Sequence, residues 1–352
     1  MDLLERPEAP QTPGTDRPDG NVGVGQTGRP GGAIKLRPWG VALVLLVVLE
    51  LGLNLVILLW PRRNDSSARL LVAMAGMYKQ MDQKEAALEC LDEAMQTGTR
   101  DIQILKDASR LSSDLGQYAK SAQILERALK RSPRDEAILA ALAKAYSQAG
   151  QHRNALPLYE RLAAIDPEEP EYYIDIGLEH ESLGDDEQAE IEYQKAMQLA
   201  PTLAEPHVHL GVLYLKLYRY QDAIVALKDG LDLEPERFRS RVVLGRCYAA
   251  LGEHDQAIRE YEVAIGLQPK DPDAYFYLGE AYLAQGAFTQ ALSGYRQAVE
   301  LKPGWVEARL RLGTVYVNLG DCEKATAEFR EVLRLDENNS RAQEGLAACG
   351  GP

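Results

Sequence analysis

Between residues 68 and 339, apolar and small residues recur as two helical stripes separated by polar turns. The stretch from Pro272 to Pro303 shows the pattern. Tyr275, Leu278, Gly279 and Tyr282 put apolar or small groups on one face of a first helix. Ala291, Tyr295 and Ala298, at i, i+4 and i+7, do the same for a second helix. Gly286 lies between them and is expected to close the first helix, because glycine takes positive φ without penalty. Pro303 stops the second helix from running on. The pattern has a period of 34 residues: Pro133, Pro167, Pro201, Pro235, Pro269 and Pro303 keep it. So do Gly177, Gly211, Gly245, Gly279 and Gly313, and Ala189, Ala223, Ala257, Ala291 and Ala325. A 34-residue period with two amphipathic halves predicts a stacked array of helical hairpins.

Upstream the pattern changes. From Trp39 to Trp60 only Gly40, Glu50, Gly52 and Asn54 are not clearly apolar. Those 22 residues predict a transmembrane helix, assigned to 38–61 and about 33 Å long. Its indoles fall at the two interfaces, flanked by Lys35, Arg37, Arg62 and Arg63. The alternative is a cleaved signal peptide. The long apolar run, the long preceding tail and the poor site at Ser66-Ser67-Ala68 argue against it. Residues 1–37 contain twelve Gly or Pro and few apolar residues, so a disordered tail is expected. Residues 62–67 are read as a linker.

The repeated residues resemble the tetratricopeptide repeat (TPR) family. Its motif runs W-x2-L-G-x2-Y, then Ala, an aromatic, Ala and Pro. Tyr275, Leu278, Gly279, Tyr282, Ala291, Tyr295, Ala298 and Pro303 follow it, with Tyr in place of Trp. Eight repeats are read: 68–101, 102–135, 136–169, 170–203, 204–237, 238–271, 272–305 and 306–339. The last has Glu337 instead of proline. The repeat from Ile102 is degenerate at Ala108-Ser109, Ser112 and Ser121, and the first ends on Thr99 where proline belongs. Residues 340–352 are read as a capping helix and a C-terminal tail. The expected fold is all-α, a right-handed TPR superhelix.

Charge then separates the segments. The 352 residues carry 39 Lys+Arg and 53 Asp+Glu, a formal charge of −14. Residues 1–67 sum to zero, so the whole excess belongs to the array. An acidic array argues against a general nucleic-acid binder. The chain has 17 Tyr against 4 Phe and 3 Trp. Tyr146, Tyr214, Tyr248, Tyr282 and Tyr316 share one repeat slot, which explains part of that excess.

No catalytic or cofactor-binding constellation is visible, and no enzymatic role, metal or cofactor is expected. Gly23–Gly28 matches GxGxxG but has neither a strand before it nor a helix after it. His180 fills a Tyr slot and reads as packing. His207 and His209, two residues apart on a helix, point in different directions. Cys247 reads as packing. Cys322 starts the last second helix and Cys349 ends the cap helix; antiparallel packing could bring them together, and in an oxidising compartment they could form a disulfide.

The resemblance implies a concave groove lined by the first helix of each repeat, binding protein or peptide partners. Its candidate residues are Lys106, Arg110, Lys144, Val208, His209, Val212, Val243, Arg246, Phe276, Tyr277, Glu280 and Arg311, together with Arg69. The groove reads as basic in the early repeats and apolar-aromatic later. Arg110 stands where a carboxylate-clamp TPR would have Asn, so that specificity is not carried over. Glu50 and Asn54 lie one turn apart and could pair the span with a second transmembrane helix, giving a homo-oligomer. The expected function is a single-pass, membrane-anchored scaffold in a bacterial inner membrane, with the repeats outside the cytoplasm. It would serve assembly or quality control of an envelope complex. The alternatives are a non-catalytic subunit that recruits substrates to an enzyme, or a structural homo-oligomer.

Overall fold

A computed structural model describes residues 65–350. The expected tail, the span at 38–61, its Glu50 and Asn54, and the Gly23–Gly28 match lie outside the described residues. No helix among the described residues is long and apolar enough to cross a membrane.

The described residues form seventeen α-helices and no strand. Eight hairpins pair α1 (Asp65–Gln80) with α2 (Lys84–Gln96), α3 (Ile102–Asp114) with α4 (Tyr118–Leu129), and α5 (Glu136–Gln148) with α6 (His152–Ile165). Next come α7 (Pro170–Leu183) with α8 (Asp186–Leu199), α9 (Ala204–Lys216) with α10 (Tyr220–Leu233), and α11 (Phe238–Ala250) with α12 (His254–Leu267). The last two are α13 (Pro272–Ala284) with α14 (Phe288–Leu301) and α15 (Val306–Asn318) with α16 (Cys322–Leu335). Helix α17 (Ser340–Ala348) caps the array. Residues 65–67, expected as linker, are instead the first turn of α1, where Asp65 suits the positive end of the helix dipole. The two degenerate N-terminal repeats form complete hairpins.

Each hairpin closes around the repeated small residues. Ala189, Ala223, Ala257, Ala291 and Ala325 are fully buried. A Cβ on Gly177 or Gly245 would lie 2.5 Å from the ring of Tyr193 or Tyr261, so glycine is what lets the paired helices approach. Those rings and Tyr295 are the largest fully buried side chains. Each contributes roughly 1.5–3 kcal/mol of apolar burial, and the buried phenols need partners. Tyr193 donates to Glu181 at 3.1 Å, and Tyr295 donates to Glu280 at 2.5 Å.

The first helices end as expected. Gly286 adopts φ 73°, and the N–H groups of Gly286 and Ala287 return to the carbonyls of Leu283 and Tyr282 at 2.9 Å. Successive first helices touch each other (α1 with α3, α9 with α11, α11 with α13), while successive second helices make no comparable contact. The first helices therefore occupy the crowded inner side of a right-handed superhelix.

Candidate protein-binding groove

The inner surface is built from residues on the first helices that the hairpin core does not use. One register is diagnostic: Arg110, Lys144, Leu178, Val212, Arg246, Glu280 and Thr314, spaced by 34 residues. Each of these side chains is exposed or half-exposed. Core slots such as Gly177, Gly211 and Gly245 stay constant from repeat to repeat, while this register runs through two cations, two apolar residues, a cation, an acid and a hydroxyl.

The early cations are compensated within the array. Arg69 pairs with Asp101 at 3.0 Å, Lys106 with Asp135 at 2.9 Å, and Arg110 with Asp107 at 3.3 Å. Asp101 and Asp135 are also N-caps of α3 and α5, accepting from Ile104 and Ile138. Lys106 reaches forward to the cap of the next first helix, and its hydrogen bond holds the Asp135 carboxyl below the usual carboxylate range. The basic groove expected in the early repeats is therefore a ladder of ion pairs. Among the described residues, Lys144 and Arg246 are the groove candidates with a cation that enters no ion pair.

The middle and late candidates divide into support and surface. Phe276 is buried, packed 4.6 Å from Trp305 and 5.7 Å from Tyr295 (ring centroids), so it holds the wall up and does not face the opening. His209 stacks on Tyr193 at 5.5 Å, and Tyr277 stacks on Tyr261 at 6.0 Å. Burial pushes the His209 imidazole below its ordinary range. Val208 packs half-buried against Gly230, and Val243 is half-buried beside the core. Val212 is 37% exposed. Arg246 lies 5.1 Å above the Tyr277 ring. Arg311 Nε stands 3.1 Å from both Glu280 and Glu307, off the hydrogen-bond angle to either, and Arg341 clasps Glu307 at 3.0 Å.

Sequence reasoning missed Asp175, in the slot that holds Ala141, His209, Val243 and Tyr277 in neighbouring repeats. Burial, with Glu179 adding to it and Lys144 opposing, pushes the Asp175 carboxyl up to about 6. Glu179 is 2% exposed and meets His152 Nδ1 at 2.8 Å across the α6–α7 boundary. The signal was weak, because Asp107 and Arg311 share this slot at the 34-residue period. Leu178 was also missed, although it shares the register of Lys144 and Val212.

The thiols of Cys322 and Cys349 lie side by side where α16 begins and α17 ends. Cys90 and Cys247 are buried. His180 is largely enclosed, with Nδ1 at 3.7 Å from Asp185. No group of three His, Cys, Asp or Glu among the described residues is arranged to hold a metal ion.

The array matches known proteins at the level of its repeats. Tetratricopeptide repeat profiles match residues 114–174 and 282–349, and another matches 170–203. A TPR repeat profile matches 245–286. The fold is similar to a crystal structure of the C-terminal part of a TPR repeat-containing protein from Cytophaga hutchinsonii. That chain is 19% identical with TM-score 0.56, and the match covers 70% of this chain and 99% of that one. It is also similar to a tetratricopeptide repeat protein from Parabacteroides merdae, at 18% identity and TM-score 0.54, covering 71% and 99%. A crystal structure of MamA is 28% identical over 47% of this chain and 97% of its own, with TM-score 0.45. No curated protein matches the chain. The profiles together span more than half of the chain, and the match at 170–203 coincides with the hairpin of α7 and α8. The chain belongs to the tetratricopeptide repeat family.

Proposed function

We propose that the protein is a membrane-anchored scaffold that binds a partner protein in the groove of its first helices. The observation that carries this reading is the exposed 34-residue register. Its chemistry varies while the core beneath it repeats, as a recognition surface requires and packing does not. Within it, Lys144, Leu178, Val212 and Arg246 follow one another in four successive repeats. They give a cation, two apolar contacts and a second cation. That order suits an extended segment with an apolar centre and carboxylates on either side. The function is binding and positioning, without chemistry of its own.

The anchor is residues 38–61, and Glu50 with Asn54 supplies a polar stripe for pairing spans. The reading places the repeats outside the cytoplasm of a bacterial inner membrane, in assembly or quality control of an envelope complex. The test is affinity recovery of partners from native membranes with Lys144→Glu/Arg246→Glu beside the unaltered chain. Loss of a specific partner from the double variant supports the groove. Unchanged recovery removes it. Replacing Glu50 by Leu tests the pairing of spans, and unchanged self-association would dismiss it.

A further inference from the structure

Six cations line one edge of the early repeats: Arg100, Arg127, Lys130, Arg131, Arg134 and Arg161. Arg127 donates to the carbonyls of Met95 at 3.3 Å and Thr99 at 3.4 Å, which seats its guanidinium over the turn between α2 and α3. Arg161 sits similarly one repeat later, donating to the Pro133 carbonyl at 2.9 Å. Arg127, Lys130 and Arg131 share a shallow hollow with Gly98, Thr99 and Leu105. Arg100 and Arg134 occupy equivalent places in successive repeats. All but the half-buried Arg127 are exposed, and among the described residues none of the six enters an ion pair. The carboxylates at this turn are already taken, Asp65 by the Thr99 hydroxyl at 2.6 Å and the Arg100 N–H at 3.4 Å, and Asp101 by Arg69 at 3.0 Å and the first N–H groups of α3.

The sequence shows that the edge is unusual for this array. Arg131 fills the slot held by Ile165, Leu199, Leu233, Leu267, Leu301 and Leu335 in the later repeats. A cation at the C-terminal end of a helix is favoured by the helix dipole, which accounts for Lys130 and Arg131. It does not account for Arg100 and Arg134, which lie in the following turns. Charge is also segregated along the array. Residues 65–134 hold 11 Lys+Arg and 10 Asp+Glu, whereas residues 135–352 hold 21 and 37. An acidic body with a cationic edge at one end is oriented by a negatively charged plane, edge inward and body outward.

We propose that this edge docks on an anionic phospholipid surface. A bilayer presents many phosphates across a plane, which matches six cations spread over neighbouring repeats. Clusters of four to eight Lys/Arg immediately cytoplasmic of a transmembrane helix bind such surfaces, and the same charge attraction acts on any leaflet that carries anionic lipid. Only residues 62–64 separate the predicted span, 38–61, from α1, so these repeats are the ones nearest the lipid in the chain. That last point rests on the anchor proposed above; the charge segregation does not.

The test uses the full chain with vesicles of phosphatidylcholine alone, and with vesicles in which one lipid in three is phosphatidylglycerol. Arginine modification by phenylglyoxal is read by mass spectrometry. The expected result is several-fold protection of Arg131 and Arg134 with the anionic vesicles only, lost at high salt, with exposed Arg330 unchanged. Lys130→Glu/Arg134→Glu, at two exposed sites without ion pairs, should abolish the protection of Arg131. Equal modification of Arg131 and Arg134 in both vesicle types overturns the proposal. Equal protection by soluble glycerol phosphate or by a short RNA without vesicles overturns it in favour of a free-phosphate or nucleic-acid site. Carbonate-resistant association with the neutral vesicles reads the anchor separately, so failure of the span and failure of the edge are distinguishable.

Discussion

Arg246 on α11 lies with its guanidinium carbon 5.1 Å from the ring centroid of Tyr277 on α13, one repeat further along. The ring is itself backed by Tyr261. The cation is thus held by an aromatic face, worth about 0.5–1 kcal/mol at an exposed site, and its charge stays free for a ligand. Lys106 and Arg110, by contrast, spend their charge on Asp135 and Asp107. This difference sets the proposed recognition surface in the middle of the array.

Gly245→Ala should destabilise the protein by about 1–2 kcal/mol despite the better helix propensity of alanine. The added Cβ would lie 2.5 Å from a Tyr261 ring that is 1% exposed and has no room to retreat. Gly266→Ala in α12 meets nothing within 4 Å and should instead stabilise, by up to about 1 kcal/mol. Urea unfolding midpoints of the two variants should move in opposite directions. Movement in the same direction would contradict the close packing at Gly245.

Tyr218 adopts φ 59° where Gly116, Gly150, Gly184, Gly252, Gly286 and Gly320 close the equivalent helices. A non-glycine residue there costs about 1–2 kcal/mol. Tyr218 is 78% exposed and returns only an edge contact with Tyr220. Tyr218→Gly should therefore raise stability by about 0.5–1 kcal/mol, after the greater unfolded-state freedom of glycine is subtracted. Thermal unfolding checks this, and a lower Tm would show that the tyrosine ring contributes more than the backbone strain removes.

The Asp175 carboxyl is raised to about 6, so between roughly pH 4 and pH 6 the folded state holds a proton that the unfolded chain has released. Stability should fall as pH rises through that window, by about 1–2 kcal/mol for a half-buried group. Asp175→Asn should remove this slope and stabilise the protein at pH 7. Unfolding measured at pH 4.5 and pH 7 for both proteins tests it; parallel pH curves would reject the assignment.

Cys322 and Cys349 are adjacent and partly exposed, whereas Cys90 and Cys247 are enclosed and burial pushes their thiols up to about 11; the neighbouring Cys322 thiol also raises Cys349, so access and adjacency set the selectivity. The thiolate is the reactive form, so exposure to oxidised glutathione should join Cys322 to Cys349 and leave the buried pair reduced. Exchange releases two equivalents of reduced glutathione per disulfide. Closing that loop should stabilise the capping helix by about 3 kcal/mol. Non-reducing peptide mapping checks the pairing, and oxidation at Cys90 or Cys247 first would contradict it.

The hairpins were legible in the sequence because their determinants are local and periodic. Gly286 and Tyr282 show where a first helix ends, and Gly245 has to face a large ring. The surface was less legible because it depends on how one repeat is rotated on the next. Lys106 finds Asp135 only once the superhelix brings α3 beside the start of α5. Phe276 reads as groove-lining by register, yet Trp305 from the following turn covers it. Arg131 carried a signal, a cation in a slot that is apolar in all six later repeats, and weighing it against its own register would have found it. Asp175 did not stand out in the same way, because Asp107 and Arg311 share its slot, and only the burial of the folded array sets it apart.

Val212 and Val225 test the central claim most directly. They are exposed valines of one repeat, on α9 and α10 respectively, at 37% and 60% exposure. A photo-crosslinking residue is placed at each in turn, and adducts are read in native cells. The groove account predicts a discrete partner adduct from position 212, removed by Lys144→Glu/Arg246→Glu, and none from position 225. The same adduct from position 225 and none from position 212 would contradict it.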